Sequence, residues 1–146
     1  MPHIKQLEAF AEQHNIEIKV IQGYRNPGQS LQNTVVKPAT KSNHFAGYAI
    51  DFNIRFKGKT YTSVDMKKRN FNELPSNIQA FFDLVRRDID LRWGGDFYRE
   101  DPVHIDSPLN EKNPEKWAGH SNSCSKDFAK AIPIWKIWAH LSLIHI

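Results

Sequence analysis

An α+β domain, an antiparallel sheet with helices packed on it, is what this sequence predicts. Three observations carry that expectation. The apolar period switches from three or four residues to two within the first 22 positions; two alternating stretches flank a Lys57-Gly58 turn; and a long apolar helix separates them from a last short alternating run. At 146 residues the chain has the length of a single domain. Folding at that size buries roughly two-thirds of the unfolded chain's surface, so no disulfide or structural metal is needed as a staple.

The elements follow in order. Ile4, Leu7, Phe10 and Ala11 fall on one face of an opening helix between His3 and His14. Ile16 to Ile21 alternates as a half-buried strand before Gly23. Gly23 to Asn43 is rich in Gly, Pro, Asn, Gln and Thr and reads as a long functional loop, with a helical turn around Gln29 to Asn33. Ile50, Phe52, Ile54 and Phe56 share one face of a strand that turns at Lys57-Gly58 into a partner, Lys59 to Thr62. Ile78, Phe81, Phe82 and Val85 mark the main buried helix, Pro75 to Ile89, started by Pro75 or Ser76. After the Trp93-Gly94-Gly95 turn, Val103 to Asp106 is a short strand ended by Pro108. A polar stretch with Pro114 and Trp117 precedes a helix expected from Ser125 to His140, kinked at Pro133 and packed by Trp117, Trp135 and Trp138. The last six residues, Leu141 to Ile146, are, under one codon choice, the end sequence of a transposase-based sequencing adaptor. They are therefore excluded, leaving 1–140 as the expected domain.

Composition removes several classes. No run approaches the roughly twenty apolar residues of a membrane span, and none follows Met1-Pro2-His3-Ile4-Lys5 as in a signal peptide. The single cysteine, Cys124, excludes a disulfide scaffold or multi-cysteine zinc finger and reads as a plain thiol. The net charge of +4 favours polyanions without naming one. Arg55, Lys57, Lys59, Lys67, Lys68 and Arg69 crowd one segment, read as a solvated hairpin and loop; only Phe56 and Tyr61 are interleaved with them, too few stacking positions for a nucleic-acid binder.

The informative residues are Ser42 to Asp51 and, about fifty residues on, Asp101-Pro102-Val103-His104. Two histidines and an aspartate suit zinc, and three protein ligands leave its fourth position open for water, the mark of a catalytic site. His44 and Asp51, seven apart, would point oppositely on a straight strand; Gly47 is placed to let the chain bend between them. Pro102 breaks the strand between Asp101 and His104, so His104 and Asp106 face one way, Val103 and Ile105 enter the core, and Asp101 sits on a turn beside the metal as general base. Arg25, at the end of a predicted strand, is the candidate for polarising a substrate carbonyl. Tyr24, Ser42 and Trp93 complete the expected substrate-binding set. Ser42's hydroxyl is also read as structuring the turn, and Trp93 has a core position as its alternative. Ser42 is not read as a nucleophile, since no nucleophile elbow surrounds it. His14, His120 and His140 stand outside any ligand spacing in the sequence and are expected in surface or capping roles.

The combined pattern resembles the M15 zinc peptidases, the D-Ala-D-Ala carboxypeptidase and L-alanyl-D-glutamate endopeptidase family, whose core motifs are S-x-H-x-x-G-x-A-x-D and D-x-x-H. Ser42, His44, Gly47, Ala49 and Asp51 match the first and Asp101 and His104 the second; Gly23-Tyr24-Arg25 and Trp93-Gly94-Gly95-Asp96 are similar to further family motifs. The resemblance spans about Ile18 to Asp106. It implies His44, Asp51 and His104 as zinc ligands, Asp101 as base, Arg25 as the polarising residue, and a small α+β fold like that of Hedgehog domains and DD-peptidases. The W-G-G-D form looks more like the endopeptidase branch, common among phage endolysins and wall-recycling enzymes, than the vancomycin-resistance carboxypeptidases. Phe97 stands where many relatives have Trp and Ile105 where Phe is commoner, changes that bear on the groove; Glu100 adjoins the base.

The expected activity is therefore a monomeric zinc peptidase cutting the L-Ala–D-Glu bond of the peptidoglycan stem peptide, with neither nucleic acid nor membrane as partner. A D-Ala-D-Ala carboxypeptidase is the nearest rival and needs a second cation for the free carboxylate. A non-catalytic, zinc-containing wall-binding module is the rival of another class, and it would need neither Asp101 nor Arg25. The expected lack of a signal peptide fits phage release and cytoplasmic recycling equally.

Overall fold

The computed structural model describes residues 3–27 and 41–130. Along them run α1 (Ile4–Gln13), β1 (Glu17–Gln22), a 3-10 turn (Asn43–Ala46), β2 (Ala49–Phe56), β3 (Lys59–Tyr61), a 3-10 helix (Lys68–Glu73), α2 (Ser76–Arg87), β4 (Arg92–Trp93), a 3-10 turn (Gly94–Asp96), β5 (His104–Asp106), α3 (Leu109–Lys112) and α4 (Pro114–Ala129). The strands form one antiparallel sheet in the order β1-β2-β5-β4, with β3 added to β2, so the expected α+β class holds. β2 is its spine. β1 lies along one edge, while β3 pairs with residues 54–56 and β5 with residues 49–51 of the other.

Alternation along β2 gives the sheet two unlike faces. Ile50, Phe52, Ile54 and Phe56 join Ile105 and Trp93 in a core closed by Leu7 and Ala11 of α1 and Ile78, Phe81, Phe82 and Val85 of α2. Phe82 is at the centre, stacked on Trp93 with ring centroids 4.1 Å apart and meeting Phe52, Phe71 and Phe81 as well. Asp51 and Asn53 alternate onto the opposite face. There the pairing of β2 with β5 sets Asp51 against His104, Ile50 against Ile105 and Ala49 against Asp106. A break in register between Val20 and Gln22 leaves Ile21 as an extra residue opposite Asp51, and such a bulge bends β1 beside the site.

Several boundaries differ from the expectation: α2 ends at Arg87 rather than Ile89, β3 ends at Tyr61 rather than Thr62, and Arg92–Trp93 pairs with β5 as an additional strand. α4 begins at Pro114, not Ser125: Asn113 Oδ1 accepts from the Lys116 amide at 3.1 Å, Pro114 fills the first helical position and Glu115 stands in the first turn. The helix buries only Ser121 and Cys124, so its apolar period is faint while its start signals are strong. β5 begins at His104 rather than Val103, although the Phe52 amide still donates to Val103 O at 2.9 Å. The second half of the basic segment coils as the Lys68–Glu73 helix. A second, smaller cluster of Ala46, Tyr48, Leu109 and Trp117 ties α4 to the Asn43–Ala46 turn. The expected turn at 29–33, the kink at Pro133, the helix end at His140, Trp135, Trp138 and the tail 141–146 lie outside the described residues. Among those described, no helix is long and apolar enough to cross a membrane.

Phe82 is fully buried and meets four other aromatic rings. Phe82→Ala is therefore expected to cost about 3–5 kcal/mol of unfolding free energy in denaturant melts. A loss below about 1 kcal/mol would mean that the core is not built around this ring.

Candidate metal centre

The first donor comes from a turn rather than a strand. Ser42 Oγ accepts from the His44 amide at 3.2 Å and caps the Asn43–Ala46 turn, which Gly47 ends at φ 71° before the chain enters β2. That left-handed residue supplies the expected bend and returns the chain so that His44 and Asp51 converge. His44 is 3% exposed. Its Nδ1 lies 2.7 Å from Gly23 O, which can only accept, so Nδ1 carries a proton and Nε2, which faces Asp51, is the nitrogen that a metal could take.

Asp51 and His104 are cross-strand partners, which places their side chains side by side on one face. His44 Nε2 is 3.2 Å and His104 Nδ1 3.1 Å from the same oxygen, Asp51 Oδ1. One ligand atom from each of the three residues lies within 4.8 Å of the others, and theirs is the one such group among the described residues. Acceptor atoms this close need a cation between them. The two separations from Asp51 Oδ1 approach the roughly 3.3 Å edge of a tetrahedron with bonds of about 2.05 Å, and two imidazoles with a carboxylate are a donor set that suits zinc. Without a metal, a proton plays that part. Burial works against charged His104, but bonds to Asp106 and Asp51 outweigh it and raise its pKa to about 9. Burial likewise works to raise the Asp51 carboxyl, yet the His104 and His44 bonds hold it well below the usual carboxylate range.

Asp101 stands on the expected turn: its amide donates to Gly94 O at 2.8 Å and its carbonyl accepts from the His104 amide at 3.1 Å. Burial raises its carboxyl, offset in part by the charges of His104 and His44. Its neighbour Glu100 turns away, accepting from the Lys68 amide. Arg25 is 6% exposed, held by its amide on His44 O at 3.1 Å, with its guanidinium over the Phe45 ring at 5.1 Å. Burial lowers its pKa and the charge of Asp51 counters this, and among the described residues no ion pair occupies the guanidinium. A buried cation and a half-buried carboxyl thus stand near the three donors.

Three residues expected to touch substrate have other work. Trp93 is 2% exposed, stacked on Phe82 beneath the sheet, and donates from Nε1 to Pro102 O at 2.8 Å, fixing the turn that carries Asp101. Tyr24 is also 2% exposed, with its hydroxyl donating to Asn26 Oδ1 at 3.1 Å. Ser42 is buried as the cap just described, and its carbonyl accepts from Trp117 Nε1 at 3.0 Å. The Trp93–Asp96 motif is accordingly structural. A Cβ on Gly94 would meet Asp101 O at 2.3 Å, one on Gly95 would meet the Trp93 ring at 2.2 Å, and Asp96 accepts both arms of Arg86 at 2.8 and 2.9 Å. Sequence reasoning missed Asp106 and Arg92. Asp106 is 3% exposed beside His104, and Arg92 donates to both its oxygens. The alternation of Val103 to Asp106 gave Asp106 its face, but Arg92 had no local signal.

An antiparallel α+β sheet carrying three convergent donors, with a half-buried carboxyl and a buried cation near them, fits the class of single-metal hydrolases. Residues 36–107, just under half of the chain, match the family model of M15 peptidases described as D-alanyl-D-alanine carboxypeptidase. The M15 family are zinc peptidases. The matched segment contains His44, Asp51, Asp101 and His104 and supports an M15-family peptidase. A comparison with curated proteins gives no match.

Because Gly94 lies against both Asp101 and His104 Cβ, Gly94→Ala is expected to displace Asp101 and His104 together. Stability should fall by about 1–3 kcal/mol and zinc affinity by about tenfold or more, read by denaturant melting and chelator competition. Unchanged zinc affinity would show that the close approach does not set the site.

Proposed function

We propose that this protein is a zinc-dependent peptidase that hydrolyses the peptidoglycan stem peptide between L-Ala and D-Glu. The observation that carries the reading is the convergence of His44 Nε2, Asp51 Oδ1 and His104 Nδ1, with Asp101 and Arg25 beside them. His44, Asp51 and His104 would hold the metal, which when bound supplies Lewis-acid activation of water and of the scissile carbonyl. Asp101 takes the proton of the attacking water and returns it to the leaving amine. Arg25, buried and without an ion pair among the described residues, donates to the carbonyl oxygen as negative charge develops there. Burial sharpens both roles, because charges act more strongly where water is excluded.

A terminal D-Ala carboxypeptidase is the second reading, favoured by the description of the matched family model. It needs a further cation for the free carboxylate. Arg92 is committed to Asp106 and Glu111, and Lys68 and Arg86 to Asp96, which favours the endopeptidase. A non-catalytic wall-binding module would have no use for a half-buried carboxyl at Asp101. Digestion of purified peptidoglycan, with and without chelator, separates the three. The proposal expects new N-terminal D-Glu that disappears with chelator; released D-Ala would establish the carboxypeptidase, and intact muropeptides with zinc bound the binding module.

Asp101→Asn is expected to keep zinc and lose about 10²–10⁴-fold in turnover. The same variant has a signature in the metal-free protein. A carboxyl whose folded pKa is raised favours the fold while protonated and loses that advantage as pH rises through it. Metal-free Asp101→Asn should therefore be more stable than wild type at pH 7, with the gap closing as pH falls into the carboxylate range. Thermal melts in chelator across that range check it, and a variant less stable at pH 7 would contradict a raised Asp101 carboxyl.

A further inference from the structure

We propose that Asp106, clamped by Arg92 and Asn43, is the positioning residue that fixes the ring tautomer of His104 and so decides which imidazole nitrogen faces the metal. The inference rests on reading His44, Asp51 and His104 as a metal centre. His104 and Asp106 are two apart on β5 and lie on one face of the sheet, with His104 Nε2 3.4 Å from Asp106 Oδ2. Asp106 is 3% exposed and carries its charge there because Arg92 donates to Oδ1 from Nε at 2.9 Å and to Oδ2 from Nη2 at 2.8 Å, while Asn43 Nδ2 donates to Oδ2 at 2.8 Å. A carboxylate so held can only accept, so the nitrogen facing it carries a proton and Nδ1, which faces Asp51, is the one left for a metal to take. His44 has the opposite tautomer, enforced by the main-chain carbonyl of Gly23. One imidazole is thus set by backbone, the other by a side chain that substitution can remove.

Asp106 is not a fourth ligand. Arg92's fork occupies both its oxygens, and it is outside the convergent group. Its second link is to the other histidine-bearing segment. Asn43 immediately precedes His44, and its Oδ1 accepts from the Asn110 amide at 3.0 Å. Arg92 extends the brace outward, donating from Nη1 to Glu111 at 2.8 Å and lying over the Phe97 ring, whose other neighbour is the His104 ring at 5.8 Å. The carboxylate therefore connects β5, β4 and the Asn43–Ala46 turn behind the donors.

The test uses the full chain stripped with chelator and titrated with zinc alone, with competition for affinity and long-range ¹H–¹⁵N NMR of the zinc-loaded protein for ring protonation. Wild type is expected to show His104 protonated at Nε2 and His44 at Nδ1. Asp106→Ala should bind zinc about 10–100-fold more weakly and lose the protected Nε2 proton of His104. Asp106→Asn, which keeps one acceptor oxygen, should fall between the two. Should the alanine variant fail to fold, the asparagine variant decides: affinity and proton protection equal to wild type overturn the proposal. So does Asp106→Ala with wild-type affinity, or wild-type His104 protonated at Nδ1. If wild type itself binds no zinc, the metal-centre reading fails and takes this inference with it; if only the Asp106 variants are indifferent, the metal centre stands and the positioning role falls.

Discussion

The register of β5 on β2 is the constraint from which the rest follows. With Asp51 opposite His104, Ile105 lies opposite Ile50 in the core and Asp106 opposite Ala49 on the donor face. Side chains alternate strictly, so a slip of one residue would send both His104 and Asp106 into the apolar layer and bring Ile105 out among the donors. β5 is only three residues long and cannot hold register by its own pairing alone. The brackets on either side supply what is missing. Trp93, stacked on Phe82, holds Pro102 O before the strand, and the Ser107 amide donates to Tyr48 O at 2.9 Å after it.

This explains why an apolar core and a polar site share one thin sheet. The face of β2 and β5 that meets α1 and α2 is almost wholly apolar, while the other gathers Asp51, His104 and Asp106 with His44 from the preceding turn. Buried charges are tolerated only when matched. Arg92 meets Asp106, and a proton shared with the imidazoles meets Asp51 in the absence of metal. Asp101 and Arg25 are left without ion-pair partners among the described residues, an arrangement that stability alone would not favour and that a polar substrate would use.

Much of this was legible in the residues themselves. Alternation along Ala49 to Phe56 and the 3-4 spacing of Ile78 to Val85 reported true faces, because burial on one side is what those periods encode. The convergence of His44, Asp51 and His104 was legible because glycine and proline sit where the chain must bend. What stayed hidden was tertiary. Nothing near Trp93 says that its ring turns inward onto Phe82 rather than outward to a groove, and nothing near Arg92 says that it meets Asp106, 14 residues on. Tyr24 and Ser42 are buried beside Arg25 and His44, and nothing in the residues themselves says so. The start of α4 is carried by its cap, Asn113-Pro114-Glu115, and not by its apolar stripe, which is faint.

The central claim is that one zinc ion is held by two imidazoles of opposite tautomer and a single carboxylate. X-ray absorption at the zinc edge of protein loaded with one equivalent tests it most directly. The account predicts a four-coordinate shell of nitrogen and oxygen at about 2.0–2.1 Å with outer scattering from two imidazoles, reduced to one imidazole in His104→Ala. A sulfur-containing shell, or two imidazoles persisting in that variant, would contradict it.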